Sequence, residues 1–322
     1  MSAPRVLVVR FSAIGDCIMT AWPVTSIRKT WPDAHISWAV QNRSAPVIDE
    51  DELVENKFVF PRERWKRRPW SPKTWREQIG CYVEMSRQGF DYGLDFQGHL
   101  KTALCLRLAK PKVRLASRAT DAVTGNINEV IDVGTEPIHE VERGYKLIRA
   151  VHDFPEVERP MMPVFRHGNE VLDRVLDPSK KIITIQTGSG NKLKTYPAEQ
   201  WDEVVNRIVR PGYDIYSIGG VGDPRLSHPA VIDKVGTWSI ETAMAAVSRS
   251  SIHLASDTGT GHAAAAFGVP VVSVFGPEDP TIFRPWTDTG VVLRNSRDPA
   301  DVSPNEVVEA TEKLMEGRWC VS

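Results

Sequence analysis

Ser256-Asp257-Thr258-Gly259-Thr260-Gly261-His262 is the stretch on which the reading of this chain turns. An apolar run, Ser251-Ile252-His253-Leu254-Ala255, leads into it, and the small residues from Ala263 to Phe267 lead out as a helix. Gly268-Val269-Pro270, a second strand-like run from Val271 to Phe275, and Gly276-Pro277-Glu278-Asp279-Pro280 follow. A strand that turns through glycines into a helix leaves backbone N–H groups unpaired at the helix start. Those groups and the helix dipole attract phosphate. Alone, the segment reads equally well as an ordinary strand–turn–helix capped by Asp or Thr. A second glycine turn, at the other end of the chain, tips the balance.

There, Val6-Leu7-Val8-Val9 is a short continuous apolar run of the kind found in buried parallel strands. Ser12-Ala13-Ile14-Gly15-Asp16 reads as a turn, and a helix is predicted from about Asp16 to Thr30, ending before Trp31-Pro32. His35 to Val40 is the next strand, which makes a βαβ spacing. Tyr92 to Phe96 is a further strand, followed by Gln97-Gly98-His99-Leu100-Lys101 and a helix from Thr102 to Ala109. Residues 113–116 and 130–133 are weaker strands. Pro155, Pro160, Pro163 and Pro178 mark 154–178 as the domain connection, with a short helix over Glu170 to Leu176.

A fresh βα series then begins. Lys181 to Gln186 is a strand, Gly188 to Lys194 a glycine turn, and Pro197 to Val209 a helix with proline in its first turn. Ile215 to Ile218 ends at Gly219-Gly220-Val221-Gly222-Asp223, and Ser239 to Ser248 is a helix. Two such series imply two doubly wound α/β domains. They are placed at 1–160 and 161–322, with the last helix, about 304–315, expected to pack back on the N-terminal domain. Ligands in such sheets bind beyond the carboxyl ends of the strands. The site is therefore expected in a cleft that the two domains face.

Bulk properties narrow the class. The chain has 322 residues, 41% hydrophobic and 25% charged, with a formal net charge of −1. That balance gives no global pull toward nucleic acid. Cys17, Cys81, Cys105 and Cys320 form no CxxC pair, so neither a disulfide framework nor zinc spacing is expected. A cytoplasmic, reducing location fits this usage. With no signal peptide and no run of membrane-spanning length, any membrane contact is expected to be peripheral, on the inner face.

Six motifs together carry a resemblance. Arg10-Phe11-Ser12-Ala13-Ile14-Gly15-Asp16 is similar to the R-x-S-x-x-G-D start of the heptosyltransferases, glycosyltransferase family 9. Asp91 to Lys101 resembles the family's D-x-x-x-D-x-Q-G-x-x-K, and His139-Glu140-Val141-Glu142-Arg143 its H-x-V-x-R. Lys194 to Trp201 resembles K-x-[WY]-P-x-x-x-W, Asp257 to His262 D-T-G-x-x-H, and Phe275 to Pro280 F-G-P-x-D-P. The matches keep the family's order over nearly the whole chain. Two positions depart from it: Gln186-Thr187 stands where members often have His-Pro, and Ala116-Ser117 where many have glycine. The resemblance implies a GT-B fold, two Rossmann-like domains facing a cleft. It also implies inverting transfer of a heptose from ADP-heptose to the lipopolysaccharide inner core.

Inverting transfer needs a base for the acceptor hydroxyl and stabilisation of the departing nucleotide. Asp16, just after Gly15 at a helix start, is the candidate base; its other reading is a first-turn cap. Lys194 resembles the family's diphosphate lysine, with Lys192 as the solvated neighbour. Ser189 and Gly190 offer one set of backbone N–H groups, and Thr258, Gly259, Thr260 and Gly261 another. His262 reads either as a phosphate ligand or as a cap of its own helix, and Asp257 is assigned to donor-sugar hydroxyls. Trp238 matches a position beside the adenine, although a plain core or rim tryptophan fits nearly as well. Asp223 reads either as a ribose ligand or as an Asp-Pro turn. No cluster has metal-ligand spacing, so no metal and no cofactor beyond the ADP-sugar donor are expected.

Between Arg62 and Arg76 lie Arg62, Arg64, Lys66, Arg67, Arg68, Lys73 and Arg76, interleaved with Trp65, Trp70 and Trp75. The ordinary reading of a charge run is a solvated surface. With an acidic glycolipid acceptor, the segment reads as a mobile loop that orders on phosphate and carboxylate. Arg62, Arg64, Arg67 and Arg68 are the named acceptor candidates, extended by Gln97, Lys101, Arg118 and Arg143. The same patch suits an anionic leaflet. A monomer with no nucleic-acid partner is expected. Three alternatives stay open: the same family with another nucleotide-sugar donor or glycan acceptor, a nucleotide-sugar epimerase, and a non-catalytic nucleotide-sugar binding protein.

Overall fold

Parallel strands covered by helices on both faces are apolar along most of their length, and the few polar residues among them need hydrogen-bond partners. Leu7, Val8 and Val9 are wholly buried, as are Ile183 and Ile185, and Val271, Val272 and Val274. The computed structural model describes residues 3–317. In it the chain divides into two compact units, with the division after Pro163, inside the proline-bearing stretch.

The first unit runs β1 (Arg5–Val9), α1 (Ile14–Thr30), β2 (His35–Gln41), β3 (Asn56–Phe60), α2 (Arg62–Arg67) and α3 (Pro72–Ser86). It continues with β4 (Tyr92–Asp95), α4 (Leu100–Ala109), β5 (Val113–Ala116), α5 (Ala122–Gly125), β6 (Glu129–Val130) and α6 (Glu140–Arg149). Its sheet has the order β3-β2-β1-β4-β5-β6, with each pair parallel. The strand expected over 130–133 is shorter and earlier. α3 and α4 cover the sheet face that carries Leu7, Val9 and Phe58, and α6 packs on α1.

The second unit begins with α7 (Arg166–Val175), then β7 (Lys181–Gln186), α8 (Ala198–Ile208), β8 (Tyr213–Ile218), β9 (Val231–Asp233) and α9 (Ile240–Ser248). β10 (Ile252–Ser256), α10 (Gly259–Phe267), β11 (Val271–Val274), α11 (Pro280–Phe283), β12 (Gly290–Leu293) and α12 (Pro304–Met315) complete it. Its sheet order is β12-β11-β10-β7-β8-β9, again parallel throughout. Read from each unit's own first strand, both sheets have the doubly wound order 3-2-1-4-5-6. Val307, Val308 and Leu314 of α12 join the second unit's core with Trp201, Val204 and Ile208 of α8, so its apolar stripe is satisfied there.

A doubly wound sheet reverses its winding between its first and fourth strands, which leaves room for a ligand at their carboxyl ends. In the first unit those ends are Arg10 to Asp16, after β1, and Phe96 to His99, after β4. In the second they are Thr187 to Lys194, after β7, and Asp257 to Thr260, after β10.

Candidate active site

At the first switch point Asp16 stands in the opening turn of α1. Its Oδ2 accepts the Ala13 N–H at 2.8 Å, and its Oδ1 meets Arg10 Nη2 at 2.7 Å. The side chain keeps 24% of its surface open. Asp16 is thus both a first-turn cap and one half of an ion pair. Arg10 is buried at the end of β1, where Nη1 donates to the Phe96 carbonyl and lies 3.5 Å from Glu140 Oε2. Burial opposes its charge, but Asp16 and Glu140 overcome this and hold the guanidinium above its ordinary range.

Glu140, at the start of α6, is the hub of this cluster. Its carboxylate also pairs with Arg118 and, at 3.2 Å, with Arg143 Nε. Burial, with Arg10 and Arg143 nearby, pulls Arg118 below the usual guanidinium range against the attraction of Glu140. Three guanidiniums (Arg10, Arg118, Arg143) meet two carboxylates (Asp16, Glu140), so the cluster carries a local excess of one positive charge (3 − 2 = 1). Arg10 and Glu140 were not among the candidates read from sequence, although both stand inside quoted motifs. Their pairing spans 130 residues and has no local signal.

The Gln97 turn locks against the same strand ends. Gln97 Oε1 accepts the Phe11 N–H at 3.0 Å, and Asp95 Oδ1 accepts from the N–H groups of Gln97 and Gly98, each at 2.9 Å. Burial nevertheless pushes the Asp95 carboxyl up to about 6. Gly98 has φ +69°, and a Cβ there would come within 2.3 Å of the Arg118 carbonyl oxygen. Glycine is therefore required where this turn meets the Arg118 segment.

The basic segment is not a loop: Arg62–Arg67 and Pro72–Ser86 are helices. The reason is long-range. Trp65 is buried edge-on against Phe60, its indole N–H donates to Glu77 Oε2 at 3.0 Å, and Arg64 pairs with the same oxygen at 2.5 Å. Glu77 lies just beyond the charge run and supplies its counter-charge. Arg64, Arg67, Arg68 and Lys73 line an open cavity of about 470 Å³ with Asn42 and Thr74. Lys101 is pulled below its ordinary range by burial and by the nearby Arg62 and Lys66, with Arg10 next. The acceptor candidates thus fall into two groups. Gln97, Arg118 and Arg143 surround the Arg10–Glu140 pair, while Arg62, Arg64, Arg67 and Arg68 lie on α2 and its C-terminal end, with Lys101 close to Arg62.

At the second switch point Lys194 is half-buried. Its Nζ donates to Asp257 Oδ2 at 2.8 Å and lies 3.2 Å from Glu278 Oε1. Burial works against its charge, but the two carboxylates outweigh it and raise its pKa. Lys192 is exposed. Ser189 is half-buried and Gly190 exposed in the turn after β7, and the Ser189 hydroxyl accepts the Asn191 N–H at 3.4 Å. Gly259, Thr260 and Gly261 form the first turn of α10, behind Thr258 at its cap position, where N–H groups have no partner within the helix. His262 is buried in that helix.

Behind this turn runs a buried chain of polar groups. Thr258 Oγ1 is 3.0 Å from Thr260 Oγ1, which is 3.0 Å from His253 Nε2. His253 Nδ1 is 2.8 Å from Thr184 Oγ1, which is 2.9 Å from Ser250 Oγ. Burial pushes His253 down to about 3, so the imidazole is neutral and joins strand to helix by hydrogen bonds alone. In the sequence His253 reads only as part of an apolar run.

Asp223 folds back on its own turn. Oδ2 accepts the Gly220 N–H at 2.7 Å, and a Cβ on Gly188 would come within 2.1 Å of Asp223 Cγ. Gln186 Nε2 donates to the Gly188 carbonyl at 3.1 Å, and Thr187 Oγ1 to the Pro224 carbonyl at 2.6 Å, so the departing Gln186-Thr187 pair braces both glycine turns. Trp238 is half-buried and stacked on Tyr216, with ring centroids 5.5 Å apart, and Lys234 Nζ lies over its ring. Among the described residues no three His, Cys, Asp or Glu side chains gather as a cation site.

The comparisons with known proteins bear on this geometry. Residues 82–309 match the model of glycosyltransferase family 9 (heptosyltransferase). The chain belongs to that family. It is a glycosyltransferase, with the GT-B fold of two doubly wound domains. The lipopolysaccharide heptosyltransferase 1 of Pseudomonas aeruginosa is 26% identical over 293 residues, covering 86% of this chain and 79% of its own. The Escherichia coli K12 protein of the same name is 21% identical over 304 residues, covering 91% and 94%. The solved E. coli heptosyltransferase WaaC with ADP superposes with a TM-score of 0.81 at 21% identity, over 96% of this chain and 99% of that one. At that identity the likeness establishes the fold. No helix among the described residues is long and apolar enough to cross a membrane.

Proposed function

We propose that this family member moves a heptose from ADP-heptose to an acidic, phosphorylated acceptor of the lipopolysaccharide inner core, with inversion at the anomeric carbon. The observation that carries the reading is the pairing of chemistries at the two switch points. One holds an oriented, partly open carboxylate, Asp16, inside a cationic cluster. The other holds Lys194 beside the first turn of α10. Asp16 takes the proton of the acceptor hydroxyl as that oxygen attacks the anomeric carbon and the bond to the ADP oxygen breaks. Lys194 and the N–H groups of Gly259, Thr260 and Gly261 take up the charge that develops on the diphosphate. Ser189 and Gly190 complete the phosphate cradle, His262 serves the phosphate, and Asp257 orients sugar hydroxyls. Trp238 lies against the adenine and Asp223 near the ribose. No metal is required, because a lysine and a helix end supply the countercharge.

Arg62, Arg64, Arg67 and Arg68, with Gln97, Lys101, Arg118 and Arg143, recognise the phosphate and carboxylate groups of the acceptor. The chain works as a monomer on the inner, cytoplasmic face of the membrane. The relatives' names support the donor and acceptor classes, and E. coli heptosyltransferase WaaC is solved with ADP-2-deoxy-2-fluoro heptose. The test is an assay with ADP-heptose and defined heptose-free core acceptors, following ADP release and the mass of the glycan. Transfer from ADP-heptose supports the proposal. Transfer only from another nucleotide sugar, or ADP binding without transfer, points to one of the alternatives.

A further inference from the structure

The outer surface of α3 and α4 is unusually apolar for a helix pair that faces solvent. Trp75, Ile79 and Val83 recur at four-residue spacing on α3, with Trp75 51% and Ile79 57% exposed. Leu104 and Leu108 continue the pattern on α4, 41% and 44% exposed. The two stripes belong together. α3 and α4 pack side by side over one sheet face. Both follow right-handed crossovers, so both run antiparallel to the strands. Met85 and the half-buried Tyr82 of α3, and Cys105 and Leu106 of α4, point at the sheet. Turning by about 100° per residue from those positions brings Trp75 and Ile79 to the α4 side of α3. The same rotation brings Leu104 and Leu108 to the α3 side of α4. The result is one apolar strip along the seam.

Its rim is basic. Lys66, Lys73 and Arg76 border it from α2 and α3, and Lys101 and Arg107 from α4. Of the acidic residues on the two helices, Glu77 is engaged by Arg64 and Trp65, which leaves Glu84. A tryptophan-bearing apolar strip inside a ring of Lys and Arg matches a bilayer surface with anionic headgroups. A second copy of the chain would bring the same basic rim against itself. We infer that the α3–α4 face is a docking surface for an anionic phospholipid bilayer, with Trp75, Ile79 and Leu104 entering the headgroup boundary. The inference deepens the proposed function, because a lipid-anchored acceptor is presented at such a surface. Its deciding readout, flotation, uses neither donor nor acceptor, so its failure and that of the transfer reading are distinguishable.

The experiment is flotation of the full chain with vesicles of phosphatidylethanolamine and phosphatidylglycerol, against vesicles of phosphatidylcholine alone. The wild-type chain is expected to float with the anionic vesicles at low salt and to be released as salt rises. Ile79→Glu and Leu104→Glu should each cut partitioning by on the order of tenfold, the scale of withdrawing one large apolar side chain from a bilayer. Ile79→Ser, a gentler change at an exposed position, should give a smaller loss in the same direction. Turnover on a water-soluble core oligosaccharide should be unchanged in all three, while turnover on vesicle-embedded acceptor falls. Equal flotation of wild type and the Glu variants would overturn the proposal, as would binding that ignores headgroup charge. A wild-type dimer that the same substitutions dissociate would overturn it too, and would make the face an interface between copies.

Discussion

The two units wind their sheets identically and gather different charges at the same point of the winding. In the first, the switch point and the start of α6 together hold three guanidiniums against two carboxylates, a local excess of positive charge. In the second, Lys194 faces Asp257 and Glu278, a local excess of negative charge (1 − 2 = −1), set beside the positive end of α10. Topology thus decides where a doubly wound sheet offers a site. The side chains at four strand ends decide what that site attracts. The first arrangement suits an acidic acceptor around a fixed carboxylate; the second suits an anion that competes with two carboxylates for one lysine.

The sharpest way to break this contrast is Asp16→Asn. It should lower turnover by ~10²–10⁴-fold, the usual loss for a general base, and leave ADP affinity, which the proposed function places in the second unit, unchanged. Stopped-flow turnover with calorimetric ADP binding checks both halves; near-normal turnover would remove Asp16 from the chemistry. Next in size is Lys194→Ala, which should weaken ADP by roughly 10–100-fold, the scale of a charge-assisted hydrogen bond, with Lys192→Ala within about twofold. The reverse ranking would show that the diphosphate lies elsewhere on the turn.

The buried titrating groups of the two units give a prediction with opposed signs. Asp95, at about 6, holds a proton in the folded state over a range where the unfolded chain has lost it. Its contribution therefore falls as pH rises from about 4 to 6. His253, at about 3, stays neutral while the unfolded chain binds a proton below about 6.5, so its contribution is lost as pH falls. Each slope is at most about 1.4 kcal/mol per pH unit. Urea midpoints between pH 4 and 6 should steepen upward with pH in Asp95→Asn and turn downward in His253→Gln. Parallel profiles in both variants would show that neither group titrates as its burial dictates.

Smaller effects separate the two electrostatic environments. Changing Arg64, Arg67 and Arg68 together to Ala should raise the acceptor KM by about 3–10-fold at low salt, less at high salt, with donor affinity unchanged. Because the segment is helical, hydrogen exchange should show it protected before acceptor is added. Rapid exchange there would restore the mobile loop suggested by its composition. The smallest expected change is Glu278→Gln, which removes one competitor for Lys194 and should tighten ADP binding by about twofold to fivefold. Weaker ADP binding in that variant would mean that Glu278 helps to hold the nucleotide.

How much of this was legible beforehand follows from the range of the interactions. The strands that meet at the switch points are buried on both faces, so they read as continuous apolar runs, and their turns are spelled by glycine. β3, with Asn56 and Lys57 among its residues, and α3, with Gly80 and the exposed Trp75, break those patterns and carry no local signal. α6 was missed for a different reason: its buried face is defined by α1, more than a hundred residues earlier. The basic segment looked like a loop because its helix rests on Trp65 reaching Phe60 and Glu77.

The sequence by itself determined the fold class, the two βα series, the four glycine-bearing strand ends, and the ordered motifs that mark the family. These are local facts, set by periodicity and turn chemistry within a few residues. Only the tertiary structure decided that Glu140 sits on Arg10, that Lys194 rather than Lys192 is half-buried between two carboxylates, and that His253 is a neutral link behind α10. It also decided that Trp75 and Leu104 border one seam. Each of these depends on burial and on partners far apart in the chain. Charge state and exposure are properties of the packed molecule, and no window of sequence contains them.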